Sequence, residues 1–109
     1  MTPEGQVLQA VLQWLTAERI LDFRMNTGAA KIDSRFMRFG TPGMADIVAY
    51  PTSCADPAVV WVECKAARGK QSELQKSFQK LVEGAGHAYL IARSVDDVAL
   101  WLKQNGAVR

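Results

Sequence analysis

An acid at one position and a Glu-x-Lys triplet a short way downstream are the residues of this chain whose types and spacing could do chemistry: Asp46, then Glu63 and Lys65. Side chains alternate along a strand, so Glu63 and Lys65 project from one face while Cys64 points the other way, into packing. Charges set inside the apolar run Val59-Val60-Trp61-Val62 need partners or a metal, because desolvating them is costly. Asp46 follows Gly43-Met44-Ala45 at the start of a second apolar run. If the two runs are neighbouring strands, Asp46 and Glu63 converge on one cation, with the backbone carbonyl of Cys64 as a further ligand. Two carboxylates and several waters suit Mg²⁺ or Mn²⁺. Such an ion activates water and holds a scissile phosphate, and Lys65 would stabilise the charge that develops there or help deprotonate the water. The chemistry expected is hydrolysis of a phosphodiester. Taken singly, each residue has an ordinary reading. A Glu-x-Lys is commonly a surface ion pair, and an acid after glycine is commonly a turn or cap residue. The combination in this order is what points to a site.

The elements that must position these residues can be read from periodicity. Residues Glu4 to Ala17 form a helix with Val7, Val11, Trp14 and Leu15 on its apolar stripe, widened by Leu8 and Leu12. Thr2-Pro3-Glu4 is its start, with a hydroxyl N-cap, proline in the first turn and an early acid. Glu4 lies one turn before Leu8 and so points to the buried side. Ile20 to Met25, Ala45 to Tyr50, Val59 to Lys65 and His87 to Arg93 read as strands. Asn26-Thr27-Gly28 and the polar stretch with Asp56 and Pro57 read as turns, and the basic-aromatic stretch Lys31 to Phe39 reads as a loop. Ser72-Glu73-Leu74-Gln75 is a capping box that opens a second helix. Its expected core stripe is Leu74, Phe78, Leu81 and Val82, and Gly84 and Gly86 end it. Ser94 to Asp97 reads as a second capping box before a last helix carrying Val95, Val98 and Leu102. The order α-β-β-β-α-β-α predicts an α/β fold, a central mixed sheet flanked by helices, in one domain over residues 1–109.

Composition excludes several classes. The chain is 49% hydrophobic and 22% charged, which is globular rather than disordered. Its two cysteines, Cys54 and Cys64, build neither a disulfide framework nor a zinc site. No signal peptide or membrane-length apolar run is visible, so a soluble, cytoplasmic protein is expected. The formal net charge of +2 is compatible with a polyanionic partner without requiring one. No Gly-rich phosphate cradle of the P-loop type is present, which disfavours a small-nucleotide phosphohydrolase.

The motifs resemble a known family. Gly43-Met44-Ala45-Asp46 followed by Val60-Trp61-Val62-Glu63-Cys64-Lys65 looks like the active-site signature of the PD-(D/E)xK nucleases, whose core is restriction-endonuclease-like. Further segments are similar to its VRR-NUC branch, the virus-type replication-repair nucleases. These are Glu4 with Gln9, Arg24-Met25-Asn26-Thr27-Gly28, Phe39-Gly40-Thr41-Pro42-Gly43, Gly69 with Ser72-Glu73-Leu74-Gln75 and Phe78, and Gly84-Ala85-Gly86. The resemblance spans Glu4 to Asp97 in family order. It departs at Ala45, where the superfamily name has proline; Ala45 supplies no ligand, and Pro42-Gly43 stands just upstream. It implies metal ligation by Asp46 and Glu63, a catalytic role for Lys65, contact of Glu4 with the metal directly or through water, and Gln75 beside the site orienting water or phosphate. It further implies a Mg²⁺- or Mn²⁺-dependent DNA endonuclease, selective for branched or junction-like DNA and acting as a homodimer, in a bacterial or phage-infected cell. The rival expectation is a non-catalytic DNA-binding module of the same fold. Such a module tends to lose acids or the lysine, and this chain keeps Asp46, Glu63, Lys65 and Gln75.

Basic residues bracket the acids in sequence. Arg35, Arg38, Arg68 and Lys70 are expected to contact DNA phosphates, and Lys31 belongs to the same bracket. Lys76, Lys80 and Lys103 read as solvated surface. His87, the only histidine, reads as a structural or surface residue rather than a general base. Trp14, Trp61 and Trp101 read as core or interface residues, with Trp61 alternatively near the site mouth because it shares a face with Glu63.

Overall fold

The computed structural model describes residues 1–25, 28–32, 35–39, 41–51 and 59–106. In chain order the elements are α1 (Pro3–Ala17), β1 (Leu21–Arg24), β2 (Gly28–Ile32), β3 (Arg35–Phe39), β4 (Ile47–Tyr50), β5 (Val60–Cys64), α2 (Glu73–Gly84), β6 (Ala88–Ala92) and α3 (Val95–Gln104). The expected order holds, with one addition. The stretch read as a loop forms an antiparallel hairpin, β2 with β3, in which Gly28 faces Phe39 and Ile32 faces Arg35. Charged residues interleaved with Phe36, Met37 and Phe39 hid its strand character, because periodicity scores apolar alternation and not backbone pairing. The expectations for residues 26–27, Gly40, Cys54, Asp56 and Pro57, and for the side chains of Lys31, Arg35 and Arg38, lie outside the described residues.

The main sheet has four strands in the order β1-β4-β5-β6. β1 pairs antiparallel with β4, β4 antiparallel with β5, and β5 parallel with β6, so the sheet is mixed. Register assigns the faces. Ile47 opposite Val62, Ala49 opposite Val60 and Cys64 opposite Ala92 form one face. That face packs on Val11 and Leu15 of α1 and on Val98 and Leu102 of α3. Each fully buried aliphatic side chain in this layer contributes about 1.5–3 kcal/mol. The opposite face carries Trp61, Glu63, Tyr89 and Ile91, and there Tyr89 joins Ala45 and Val82 in a smaller core against α2, with Trp61, Phe78 and Ile91 packed around it.

α2 needs a correction. Val82 is its buried residue and Phe78 packs edge-on against Trp61, with ring centroids 5.1 Å apart. Leu74 and Leu81 are exposed, not part of the core stripe. The inward face runs through Gln75, Phe78, Gln79 and Val82, rotated so that two glutamines sit where a purely apolar stripe was expected. Both glutamines are occupied. Gln75 donates to Glu63, and Gln79 Oε1 accepts from Gln71 Nε2 at 2.9 Å, while the same Gln71 amide donates to the Tyr89 hydroxyl at 3.2 Å.

The helix starts divide in the same way. Thr2 Oγ1 accepts from Gly5 N–H at 3.0 Å, so α1 has its hydroxyl cap. Ser72 and Gln75 form a complete capping box. Ser94, by contrast, makes no side-chain cap bond, and the expected second box does not form. Asp97 Oδ2 instead accepts the N–H of Arg93 at 2.8 Å, one residue further back than a box requires. His87 is exposed and opens the approach to β6, its N–H bonded to Val82 O at 3.1 Å.

Candidate functional site

The acids and the lysine meet at one end of the sheet, where β4 begins, β5 ends, and α1 and α2 present their first turns. Strand alternation does what the sequence required of it. Glu63 and Lys65 share a face, with Lys65 Nζ 3.6 Å from Glu63 Oε2, and Cys64 is wholly buried in the opposite core. Asp46 precedes β4, and its Oδ2 accepts the N–H of Cys64 at 2.8 Å. This bond ties the start of β4 to the end of β5 beyond the last ladder pair, Ile47 with Val62. In a strand the N–H and C=O of one residue face the same edge. The Cys64 carbonyl therefore looks out on the edge where Asp46 lies, which is where it would have to be to serve as a ligand.

Glu4 reaches the site from the first turn of α1, with Oε1 3.6 Å from Lys65 Nζ. It stands beside the lysine, a placement compatible with water-mediated contact to an ion. Gln75 arrives from α2. Its Oε1 accepts the N–H of Ser72 at 2.8 Å, its backbone N–H donates to Ser72 Oγ at 3.1 Å, and its Nε2 donates to Glu63 Oε2 at 3.0 Å. The capping box thus fixes which way the amide points: with the oxygen held by the cap, only the NH₂ faces Glu63.

Gly43 sets the approach. Its φ of +82° is a left-handed conformation, and a Cβ built there would lie 2.3 Å from Leu74 O and 3.0 Å from Gln75 N. Only glycine lets the turn before Asp46 lie against the first turn of α2.

Electrostatics make Glu63 the unusual group. It is 2% exposed, and its buried Oε1 has no hydrogen-bond partner among the described residues, whereas Oε2 faces both Gln75 and Lys65. Burial, and then the neighbouring Asp46 carboxylate, push its pKa up to about 8 against the opposing pull of Lys65. Asp46 is also raised, first by burial, with the Cys64 N–H and the Lys65 and Arg24 charges holding it down and Glu4 pushing it up. Burial pushes the Cys64 thiol up to about 12, so it is not a nucleophile at neutral pH.

The donor set fits a hard divalent cation. A buried carboxylate oxygen with no partner among the described residues, on a group that a second carboxylate acts on, is what such an ion would satisfy. Among the described residues no group of three or more His, Cys, Asp and Glu side chains is arranged to hold an ion by itself. A groove of about 430 Å³ lined by Leu90, Ile91, Arg93 and residues of α3 lies along β6 and includes none of Glu4, Asp46 and Glu63.

Arg68 and Lys70 are exposed on the segment that follows Lys65. Sequence reasoning missed Arg24, whose charge acts on Asp46, and Arg93, whose guanidinium binds the turn after Lys65. Arg24 was visible only as the first residue of the Arg24–Gly28 motif, with no role attached, and Arg93 had no signal beyond being a basic residue at a strand end. No described helix is long and apolar enough to cross a membrane. Comparison with known proteins finds no match, either to a family model or to a curated sequence.

Proposed function

We propose that the chain is a metal-dependent DNA nuclease that hydrolyses phosphodiester bonds at the Asp46–Glu63–Lys65 cluster. The observation that carries this reading is the buried Glu63 carboxylate: its Oε2 meets Lys65, the Asp46 charge acts on it, and its Oε1 has no hydrogen-bond partner among the described residues. A structural ion pair would satisfy both carboxylate oxygens, and among the described residues this one leaves Oε1 without a donor.

Asp46 and Glu63 would hold Mg²⁺ or Mn²⁺, with the Cys64 carbonyl on the same edge. When bound, the ion would neutralise the phosphate and acidify a water. The chain's own residues have distinct tasks. Lys65 carries positive charge beside the carboxylates, where the attacked phosphate gains negative charge. Glu4 holds the lysine from α1, and Gln75 holds Oε2 of Glu63 through its amide. Arg68 and Lys70 offer salt-sensitive contacts to flanking phosphates. DNA as substrate, a preference for branched forms and a homodimer with two opposed sites rest on the resemblance carried by the motifs. Two-fold symmetry would suit a pseudo-symmetric junction.

The test is cleavage of flap, nicked, single-stranded and four-way-junction DNA with Mg²⁺, Mn²⁺ or EDTA. Wild type cuts at least one of these with metal, while Asp46→Ala, Glu63→Ala and Lys65→Ala bind DNA without cutting. Retained cutting by all three variants sinks the site assignment. DNA binding by wild type with no cutting under any condition favours the non-catalytic module. Sedimentation of the same protein at micromolar concentration should give a dimer, and a monomer there removes the two-site arrangement.

A further inference from the structure

We infer that Arg93 is a positioning residue for this site, acting by pinning the turn that joins Lys65 to α2. The inference rests on the nuclease reading for its activity readout only.

The guanidinium of Arg93 binds main-chain carbonyls rather than a carboxylate. Its Nη1 lies 2.6 Å from Ala66 O, 2.7 Å from Gly69 O and 3.4 Å from Ala67 O. Carbonyl oxygens turned toward one point repel each other, and a permanently charged donor is what gathers them. The turn is closed on itself as well, with Gly69 N–H on Ala66 O at 3.0 Å. Arg93 is anchored in turn by Asp97, which accepts its backbone N–H at 2.8 Å instead of pairing with its side chain. The last rung before the turn is Lys65 N–H on Ala92 O at 2.9 Å, next to Arg93 in sequence.

The turn reaches the site through Lys65. A Cβ placed on Gly69 would stand 3.4 Å from Lys65 Cδ, so Gly69 backs the aliphatic stem of the lysine. The same turn carries Arg68 and leads through Lys70 to Gln71, whose amide is held by Gln79 and Tyr89, and on to the Ser72 cap. Removing the Arg93 clamp frees the stem of Lys65 and the basic residues beside it. Asp46 and Glu63 lie on other attachments, the Cys64 N–H and the Gln75 amide, and stay where they are.

Two readouts on Arg93→Gln and Arg93→Lys test this. In limited trypsin digestion without DNA or metal, folded Arg93→Gln is cut at Lys65, Arg68 or Lys70 roughly tenfold faster than wild type or more, because cleavage tracks the population of the open turn. Arg93→Lys recovers part of the resistance, since its ammonium keeps the charge and the donors but sits on a side chain one bond shorter. In cleavage assays, Arg93→Gln loses about 10- to 100-fold in kcat from a displaced lysine. Its KM for DNA rises, and the Mn²⁺ concentration for half-maximal activity stays as in wild type. Mere loss of folded protein lowers the apparent kcat and leaves KM unmoved. Unchanged trypsin cutting, or a KM that stays put while kcat falls, overturns the inference. If wild type shows no metal-dependent cutting, the nuclease reading fails and the trypsin result still decides the role of Arg93.

Discussion

Glu63 concentrates the physics of this protein in one side chain. Its pKa is pushed from 4.5 up to about 8, so between those values the folded chain binds a proton that the unfolded chain has released. Stability from this group is complete below about pH 4.5 and is lost as pH rises through the folded value. In chelator, wild type should therefore melt at lower temperature at pH 8 than at pH 5.5, and Glu63→Gln should lose much of that slope. A parallel pH dependence in both proteins, read by thermal melts, would place the effect elsewhere. At this scale the sequence was informative about residue types and silent about partners. The Glu-x-Lys spacing settled that Glu63 and Lys65 share a face, since alternation is a property of any strand. That Cys64 N–H would hold Asp46, or that one oxygen of Glu63 would have no donor among the described residues, depends on where two strands stop relative to each other, which no local pattern encodes.

α2 shows the same division among elements. Its start was legible because a capping box is a local device, formed by residues three apart. Its facing was not, because Leu74 and Leu81 compete for the interior with glutamines that find partners only in the folded chain. Ser94 to Asp97 had the same box pattern and did not form it, since Arg93 N–H took the carboxylate. The Ser72 box also does two things that mutation can separate. Ser72→Ala removes the hydroxyl that accepts from Gln75 N–H and should cost about 1 kcal/mol, with cleavage per folded molecule little changed. Gln75→Ala removes the other half of the box and the donor to Glu63 together. It should cost a similar amount of stability and far more cleavage, measured by urea unfolding beside turnover. Equal cleavage losses in the two variants would mean that the Gln75–Glu63 bond has no part in the chemistry.

The arrangement of the whole molecule follows from one topological fact. β5 and β6 run parallel, so the chain must cross over between them, and α2 is that crossover. A crossover helix begins where the first strand ends, which delivers the first turn of α2 to the end of β5, beside Glu63 and Lys65. The alternation of strands and helices made an α/β sheet legible, while the strand order β1-β4-β5-β6 and the β2–β3 hairpin rest on long-range pairing and had to be seen. The approach of α2 to the other side of the site hangs on Gly43. Gly43→Ala should cost about 1–3 kcal/mol by overpacking and should reduce cleavage beyond that loss, because the peptide it pushes carries Gln75; wild-type turnover in the folded variant would refute the close contact. Gly43 therefore acts as a gauge with less clearance than one methyl group. Across a lineage of copies, the exposed Leu74 and Leu81 are free to wander, and on the proposed nuclease reading a side chain appearing at position 43 would mark a copy that no longer cuts.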